Sequence, residues 1–129
     1  MKTIKQAFVI KATPQRIFEA LTTIADIKKW SGAGAKFAAK AGGQYAMWDG
    51  WVKGTVKELI PGKKVVQTWE PSDWEPQNEA SVATFMLAEK GGGTEVQFEQ
   101  TNVPDKQYKS TDDGWRDFYL GAIKEYLEK

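Results

Sequence analysis

The stretch Asp113-Gly-Trp-Arg-Asp-Phe-Tyr-Leu-Gly-Ala-Ile-Lys-Glu-Tyr-Leu-Glu-Lys129 governs how the rest of the chain is read. Within it Trp115, Phe118, Tyr119, Ala122, Ile123, Tyr126 and Leu127 recur with a period near 3.6, the spacing of one apolar stripe on an α-helix. Asp117, Lys124, Glu125 and Glu128 gather on the opposite side. From Gly42 onward the preceding sequence changes to a period of two, the mark of half-buried strands. A sheet with one apolar face needs a cover, and this helix is the longest available.

Outward from that helix, the strands follow one another through tight turns. Tyr45 and Met47 alternate with Gln44, Ala46 and Trp48 ahead of Asp49-Gly50, a two-residue hairpin signal. The return strand, Trp51 to about Ile60, carries Val52, Gly54 and Val56 on one side. Pairing across that turn sets Trp48 opposite Trp51, on the face with Gln44, Lys53 and Thr55 that reads as solvent-facing. Pro61-Gly62 turns the chain into Lys64 to Glu70, where Val65, Gln67 and Trp69 fall together. A polar loop, Pro71 to Glu79, precedes Ser81, Ala83, Phe85 and Leu87 on one face of the next strand. Gly91-Gly92-Gly93 then leads to Thr94, Val96, Phe98 and Gln100, and Asn102 to Asp112 reads as a loop. Toward the N-terminus, Thr3 to Lys11 is a strand with Ile4, Phe8 and Ile10 on one face. Thr13 is an N-cap with Pro14 at the first helical position. Ile17, Phe18 and Leu21 form the inner side of that short helix. Ile24, Ile27 and Trp30 form that of a second, capped near Thr23 and stopped at Ser31-Gly32-Ala33-Gly34. The expected architecture is α+β: about six antiparallel strands curved around a long C-terminal helix, with two short helices after the first strand, in one domain over residues 1–129.

Composition narrows the function. Lys+Arg 18 against Asp+Glu 17 leaves a formal net charge of +1, with only Arg16 and Arg116 as guanidinium groups. That balance speaks against a nucleic-acid partner. Cysteine and histidine are both absent, which removes disulfides, thiolate catalysis, sulfur metal sites, the usual zinc ligand and any Ser-His-Asp triad. No apolar run reaches membrane-spanning length and no signal-peptide core opens the chain, so the expectation is a cytoplasmic protein without cofactor or metal. Gly91-Gly92-Gly93 is a turn, because no Gly-Lys-Ser/Thr follows it. Catalysis would fall to carboxylates or tyrosines, and no carboxylate pair is forced inward. Asp49 follows Tyr45 and Met47 in the inward alternation but sits where a turn favours Asp for backbone reasons.

The segments Ala12-Thr-Pro-Gln-Arg-Ile-Phe-Glu-Ala-Leu-Thr22, Gly42-Gly-Gln-Tyr45, Asp49-Gly50, Gly54 with Glu58-Leu-Ile-Pro-Gly62, Thr68-Trp69, Gly93-Thr-Glu-Val96 and Gly114-Trp115 stand in an ordered spacing. Together the chain resembles the START-like (SRPBCC, helix-grip) superfamily, and within it the domain at the C-terminus of the activator of heat-shock protein 90 ATPase. The resemblance implies a helix-grip fold with an internal apolar cavity. Its members bind lipids, hormones or polyketides, act as cyclases or hydrolases, or assist a chaperone. In the eukaryotic activator, ATPase stimulation belongs to a separate N-terminal domain with an Asn-rich, Trp-containing motif, and these residues contain no such motif.

The expected site is a cavity between sheet and C-terminal helix, holding a small apolar molecule or lipid. From the strands it would take Phe8, Tyr45, Met47, Val56, Gln67, Ser81, Ala83, Phe85, Phe98 and Gln100; from the helix, Trp115, Phe118, Tyr119 and Ala122. Small Ser81 and Ala83 leave room, and Gln67, Ser81 and Gln100 could orient a polar group. The competing interpretation is that the same residues are simply the core, with polar members bonded to backbone or water. Trp48 and Trp51 form either a cross-strand pair that steadies the hairpin or a surface for a chaperone or other protein partner. Asp73, Trp74 and Glu75 lie in a loop able to cover a cavity mouth. Three functions remain: ligand binding, a co-chaperone-like interaction module, and a hydrolase or cyclase.

Overall fold

The period-two segments form one antiparallel sheet in the computed structural model, which describes residues 1–129. Its strands are β1 (Lys2–Ile10), β2 (Lys36–Phe37), β3 (Gln44–Met47), β4 (Val52–Ile60), β5 (Lys64–Pro71), β6 (Ser81–Lys90) and β7 (Gly93–Val103). Their order across the sheet is β1-β7-β6-β5-β4-β3-β2. The tight turns dictate a meander from β2 to β7, and β1 closes on β7. The sheet has seven strands, counting the short one that the sequence suggests within Lys36 to Ala39, where Lys36 and Phe37 pair with Ala46 and Tyr45. A bulge between Val56 and Glu58 bends β4.

Between β1 and β2 lie α1 (Pro14–Thr22) and α2 (Ile24–Ser31). Thr13 caps α1, its side-chain oxygen accepting from the Arg16 N–H at 3.1 Å. Gly32 ends α2 at φ 71, a left-handed conformation that glycine enters without cost from a Cβ. Ile24, expected inward, is exposed, and α2 buries Ile27 and Trp30 instead. The Thr23 linker leaves Ile24 in the first turn, pointing away from the sheet side.

The C-terminal segment departs from the expected single helix in two ways. It begins earlier, since a short 3-10 turn (Asp105–Gln107) runs into α3 (Tyr108–Gly114) where a loop was expected. It is also interrupted by a π-helical turn, Trp115–Tyr119, before α4 (Leu120–Glu128). The Leu120 N–H donates to the Trp115 carbonyl, an i→i+5 closure that inserts one residue into the turn. One extra residue rotates the remainder of the helix by about 100°. Trp115, Tyr119, Leu120 and Ile123 therefore face the core, and Phe118, placed inward by uniform α-periodicity, stands 67% exposed.

The apolar faces meet as intended elsewhere. Ile4, Ile10, Val56, Val65, Ala83, Phe85 and Val96 are fully buried, joined by Ile17 from α1 and Ile27 from α2. Trp115 packs on Phe98 at 4.2 Å between ring centroids and Tyr119 stacks on Phe85 at 5.6 Å. Such pairs each contribute about 0.5–1.5 kcal/mol beyond their buried area. The helical segment is also pinned to edge strand β1. Gln6 Nε2 donates to the Asp112 carbonyl at 2.8 Å, Lys124 Nζ to the Val9 carbonyl at 2.7 Å, and the Lys11 N–H to Glu128 Oε2 at 2.9 Å. No helix is long and apolar enough to cross a membrane.

Candidate functional site: a tryptophan-lined pocket

Four stretches converge at one end of the interface between sheet and C-terminal helix. The β3–β4 loop brings Trp48 and Trp51, the end of β5 brings Trp69, and the β5–β6 loop brings Asp73 and Trp74. The helical side adds Gln107, Ser110, Thr111 and Gly114, then Trp115, Phe118 and Tyr119 from the π turn. They enclose an open concavity of 530 Å³, a volume within the range of small-molecule sites. Of six tryptophans in the chain, only Trp30 is not in its wall. Trp30 stands behind, 4.7 Å from the Tyr119 ring, with its indole N–H donating to the Ala20 carbonyl at 2.8 Å.

The hairpin that supplies Trp48 and Trp51 differs from the expected two-residue turn. Met47 pairs with Val52, so Trp48, Asp49, Gly50 and Trp51 all lie in the loop. Trp48 at φ 50 and Asp49 at φ 57 occupy the left-handed region. A bulky residue there carries strain of order 1–3 kcal/mol, sustained by its surroundings. Here those are aromatic: Trp48 meets Trp30, Trp51, Trp69 and Tyr119 at centroid distances of 5.9–6.3 Å. The turn is moored by Asp49, whose Oδ1 accepts from the Gly34 N–H at 3.0 Å and whose N–H donates to the Gly34 carbonyl at 3.1 Å. Trp48 is consequently half-buried rather than solvent-facing, while Trp51 is 41% exposed. The contact between the two indoles survives, at 6.1 Å and 80° between planes.

Beneath the aromatic floor runs a relay of polar groups. The Trp115 indole N–H donates to Gln100 Oε1 at 2.7 Å, Gln100 Nε2 donates to Ser81 Oγ at 3.1 Å, and Ser81 Oγ donates to the Trp69 carbonyl at 2.5 Å. It links the two floor tryptophans through the sheet. Tyr45 Oη donates to the Thr68 carbonyl at 2.5 Å, and Tyr119 Oη donates to Met47 Sδ at 3.7 Å. Burial drives both phenols well above their ordinary value of 10. The fully buried Gln67 carboxamide is part of the same cluster, and neither of its amide atoms reaches a hydrogen-bond partner.

The residues expected around a cavity thus divide. Trp115, Phe118 and Tyr119 line the pocket, and Trp48 and Trp51, expected on a separate surface, line the same one. Met47, Val56, Ala83, Phe85, Phe98 and Tyr45 are packed into the core, as are Gln67, Ser81 and Gln100. Phe8 and Ala122 pack on its margin. Trp69 and Trp74 escaped the sequence-based selection, although Trp69 shares a face with Gln67 and Trp74 lies in the loop read as a possible cover. Gln107, Ser110, Thr111 and Gly114 were missed with the helix that carries them. The signal for that helix is Tyr108 seven residues before Trp115, with no Gly or Pro between Asp105 and Asp113.

An antiparallel sheet curved around a C-terminal helical segment, with two short helices after the first strand, defines a START-like helix-grip protein. The model of the family described as Activator of Hsp90 ATPase homolog 1-like protein matches residues 11–128, and the chain belongs to that family. It is 29% identical over 123 residues to the human protein named activator of 90 kDa heat shock protein ATPase homolog 1, covering 95% of this chain and 36% of that one. The chain spans about a third of the length of the curated relatives it matches. Among solved structures, an HSP90 activator from Plasmodium falciparum superposes with a TM-score of 0.89 at 22% identity, covering 99% and 97% of the two chains. At that identity the likeness is one of fold. The Aha1 dimer from Colwellia psychrerythraea gives 0.80 at 26% identity, with the same coverage.

Proposed function

We propose that the protein binds a small apolar ligand in the tryptophan-lined pocket at the end of the sheet–helix interface. The observation that carries this reading is the convergence of Trp48, Trp51, Trp69, Trp74 and Trp115 on one open concavity while the remaining inward faces are packed shut. Large apolar rings held partly open to water regain free energy when a ligand covers them. The reading takes the chain as one domain working in the cytoplasm, which suits a sequence without cysteine. The test is an amide and indole NMR titration with fatty acids, sterols, flavonoids and the neutral fluorophore N-phenyl-1-naphthylamine. Saturable shifts centred on Trp48, Trp51, Trp74 and Phe118 are expected. A well-dispersed spectrum unmoved by the whole panel would overturn the reading.

A second reading, a co-chaperone-like interaction module, is supported by the family and by relatives named as heat-shock protein 90 activators. Trp51 and Phe118, exposed at the pocket rim, would be its contact residues. Calorimetric titration against heat-shock protein 90 distinguishes the two. The module reading expects binding that Trp51→Ala with Phe118→Ala abolishes, and the absence of any binding heat rules it out.

A further inference from the structure

Trp48, Trp51 and Trp69 are mutually near-perpendicular. Their centroids lie 6.1, 6.3 and 6.3 Å apart and their planes meet at 80°, 80° and 77°. Each pair packs edge to face, and the parts of Trp51 and Trp48 left open present aromatic surface to the pocket above the buried Trp69. Ring faces carry negative potential, and a cation within about 6 Å of a ring centroid is attracted to it. The rest of the wall has the same sign. Asp73 is the one acidic or basic side chain lining the pocket. It is exposed at the mouth beside Trp74 and takes part in no ion pair or side-chain hydrogen bond. The basic residues on the neighbouring helical segment are already engaged: Lys106 with Glu75 at 2.7 Å, Lys109 with Asp113 at 3.1 Å and Arg116 with Asp112 at 2.7 Å. A neutral hydrocarbon would leave the Asp73 carboxylate without use, and an anion would meet it directly.

We infer that the ligand of this pocket is an organic cation, a quaternary or tertiary ammonium on a compact apolar body, seated against the Trp48–Trp51–Trp69 cluster with Asp73 at the mouth. The inference rests on the reading of this pocket as a small-molecule site and adds the sign of the ligand's charge.

Shape-matched pairs that differ in charge test it: choline against 3,3-dimethylbutan-1-ol, and phenyltrimethylammonium against tert-butylbenzene. Affinities are measured by indole NMR shifts and tryptophan fluorescence. Each cation is expected to bind about ten-fold more tightly than its neutral partner. Trp51→Leu keeps apolar bulk but removes a ring face, so it should weaken the cation more than its neutral partner and collapse that ratio toward one. Trp74→Leu is the second variant, should the β3–β4 loop not tolerate the first, and circular dichroism checks that each folds. Asp73→Asn should weaken the cations about three-fold and flatten their salt dependence. Equal affinity within each pair, or binding of apolar panel compounds alone, overturns the charge assignment and leaves the apolar pocket standing. No binding by any compound, charged or neutral, removes both readings.

Discussion

The carbonyl oxygen of Arg116 occupies the space that a side chain at Gly121 would enter. The π turn creates this approach, since a carbonyl five residues earlier is rotated toward position 121 when the turn holds one residue too many. Gly121→Ala therefore forces a choice between displacing that carbonyl and reverting to an α turn, which would move Phe118 from its exposed place in the pocket wall. The expected cost is about 1–3 kcal/mol, the range for overpacking a closed site. Urea unfolding measures it, and Tyr119 and Trp115 side-chain shifts report the altered register.

The relay from Trp115 through Gln100 to Ser81 supports a second expectation. Gln100→Leu leaves the buried Trp115 indole N–H without an acceptor, a loss of about 1–3 kcal/mol. Because the bond sets the orientation of a floor tryptophan, the variant should also shift the tryptophan emission maximum. Stability within about 0.5 kcal/mol of the parent would show that the indole finds another partner.

Gln100 also shows what was legible in advance. Strict alternation from Thr94 to Gln100 determines which side chains of β7 face inward, and all four are buried. Thr13-Pro14 and the glycine after α2 marked helix ends for local steric reasons that tertiary packing did not override. The π turn was not legible, because Trp115 and Tyr119 satisfy an α spacing and only Phe118 and the residues after the insertion change face. Trp48 was misplaced for a related reason. Asp49-Gly50 is a turn signal that does not say whether the turn takes two residues or four, and the two cases put Trp48 on different faces. The pocket depends on both features, so its tryptophans were visible as types but not as one cluster.

The buried phenol of Tyr119 ties stability to alkaline pH. Its folded value is raised above the ordinary 10 by burial. A raised value means that its contribution is fully present below pH 10 and is lost as pH climbs toward the folded value. That loss approaches about 1.4 kcal/mol per pH unit. Tyr119→Phe removes the ionisable group and gives up only the contact with Met47 Sδ. Urea titrations should place the variant within about 1 kcal/mol of the parent at pH 7. It should gain on the parent by about 1 kcal/mol between pH 9 and pH 11.

At the acid end the corresponding group is Asp26. Arg16 donates to it through both terminal nitrogens, at 2.8 and 2.9 Å, and Tyr126 Oη donates at 2.6 Å, joining α1, α2 and α4. The Arg16 hydrogen bonds, ahead of the Tyr126 one, lower the Asp26 carboxyl below its ordinary 3.8. A lowered value means stability present above pH 3.8 and lost as pH falls through the folded value. With Arg16 partly exposed, the contribution is on the order of 1 kcal/mol. Asp26→Asn should be less stable than the parent at pH 6, with the gap closing below pH 3. A gap that stays constant with pH would assign the effect to packing.

Phe118 separates binding from folding. It is 67% exposed yet lines the pocket, so it contributes little to the core and much of its ring is free for a ligand. Phe118→Ala should change stability by no more than about 0.5 kcal/mol, as substitutions at exposed positions usually do. The same change should weaken N-phenyl-1-naphthylamine binding about ten-fold, the effect of losing one aromatic contact of a well-formed site. Fluorescence titration and urea unfolding of one preparation check both halves. Weakened binding together with a large loss of stability would mean that Phe118 holds the π turn in place and acts on the pocket only through it. Unchanged binding would place the ligand deeper, against Trp69 and Trp115.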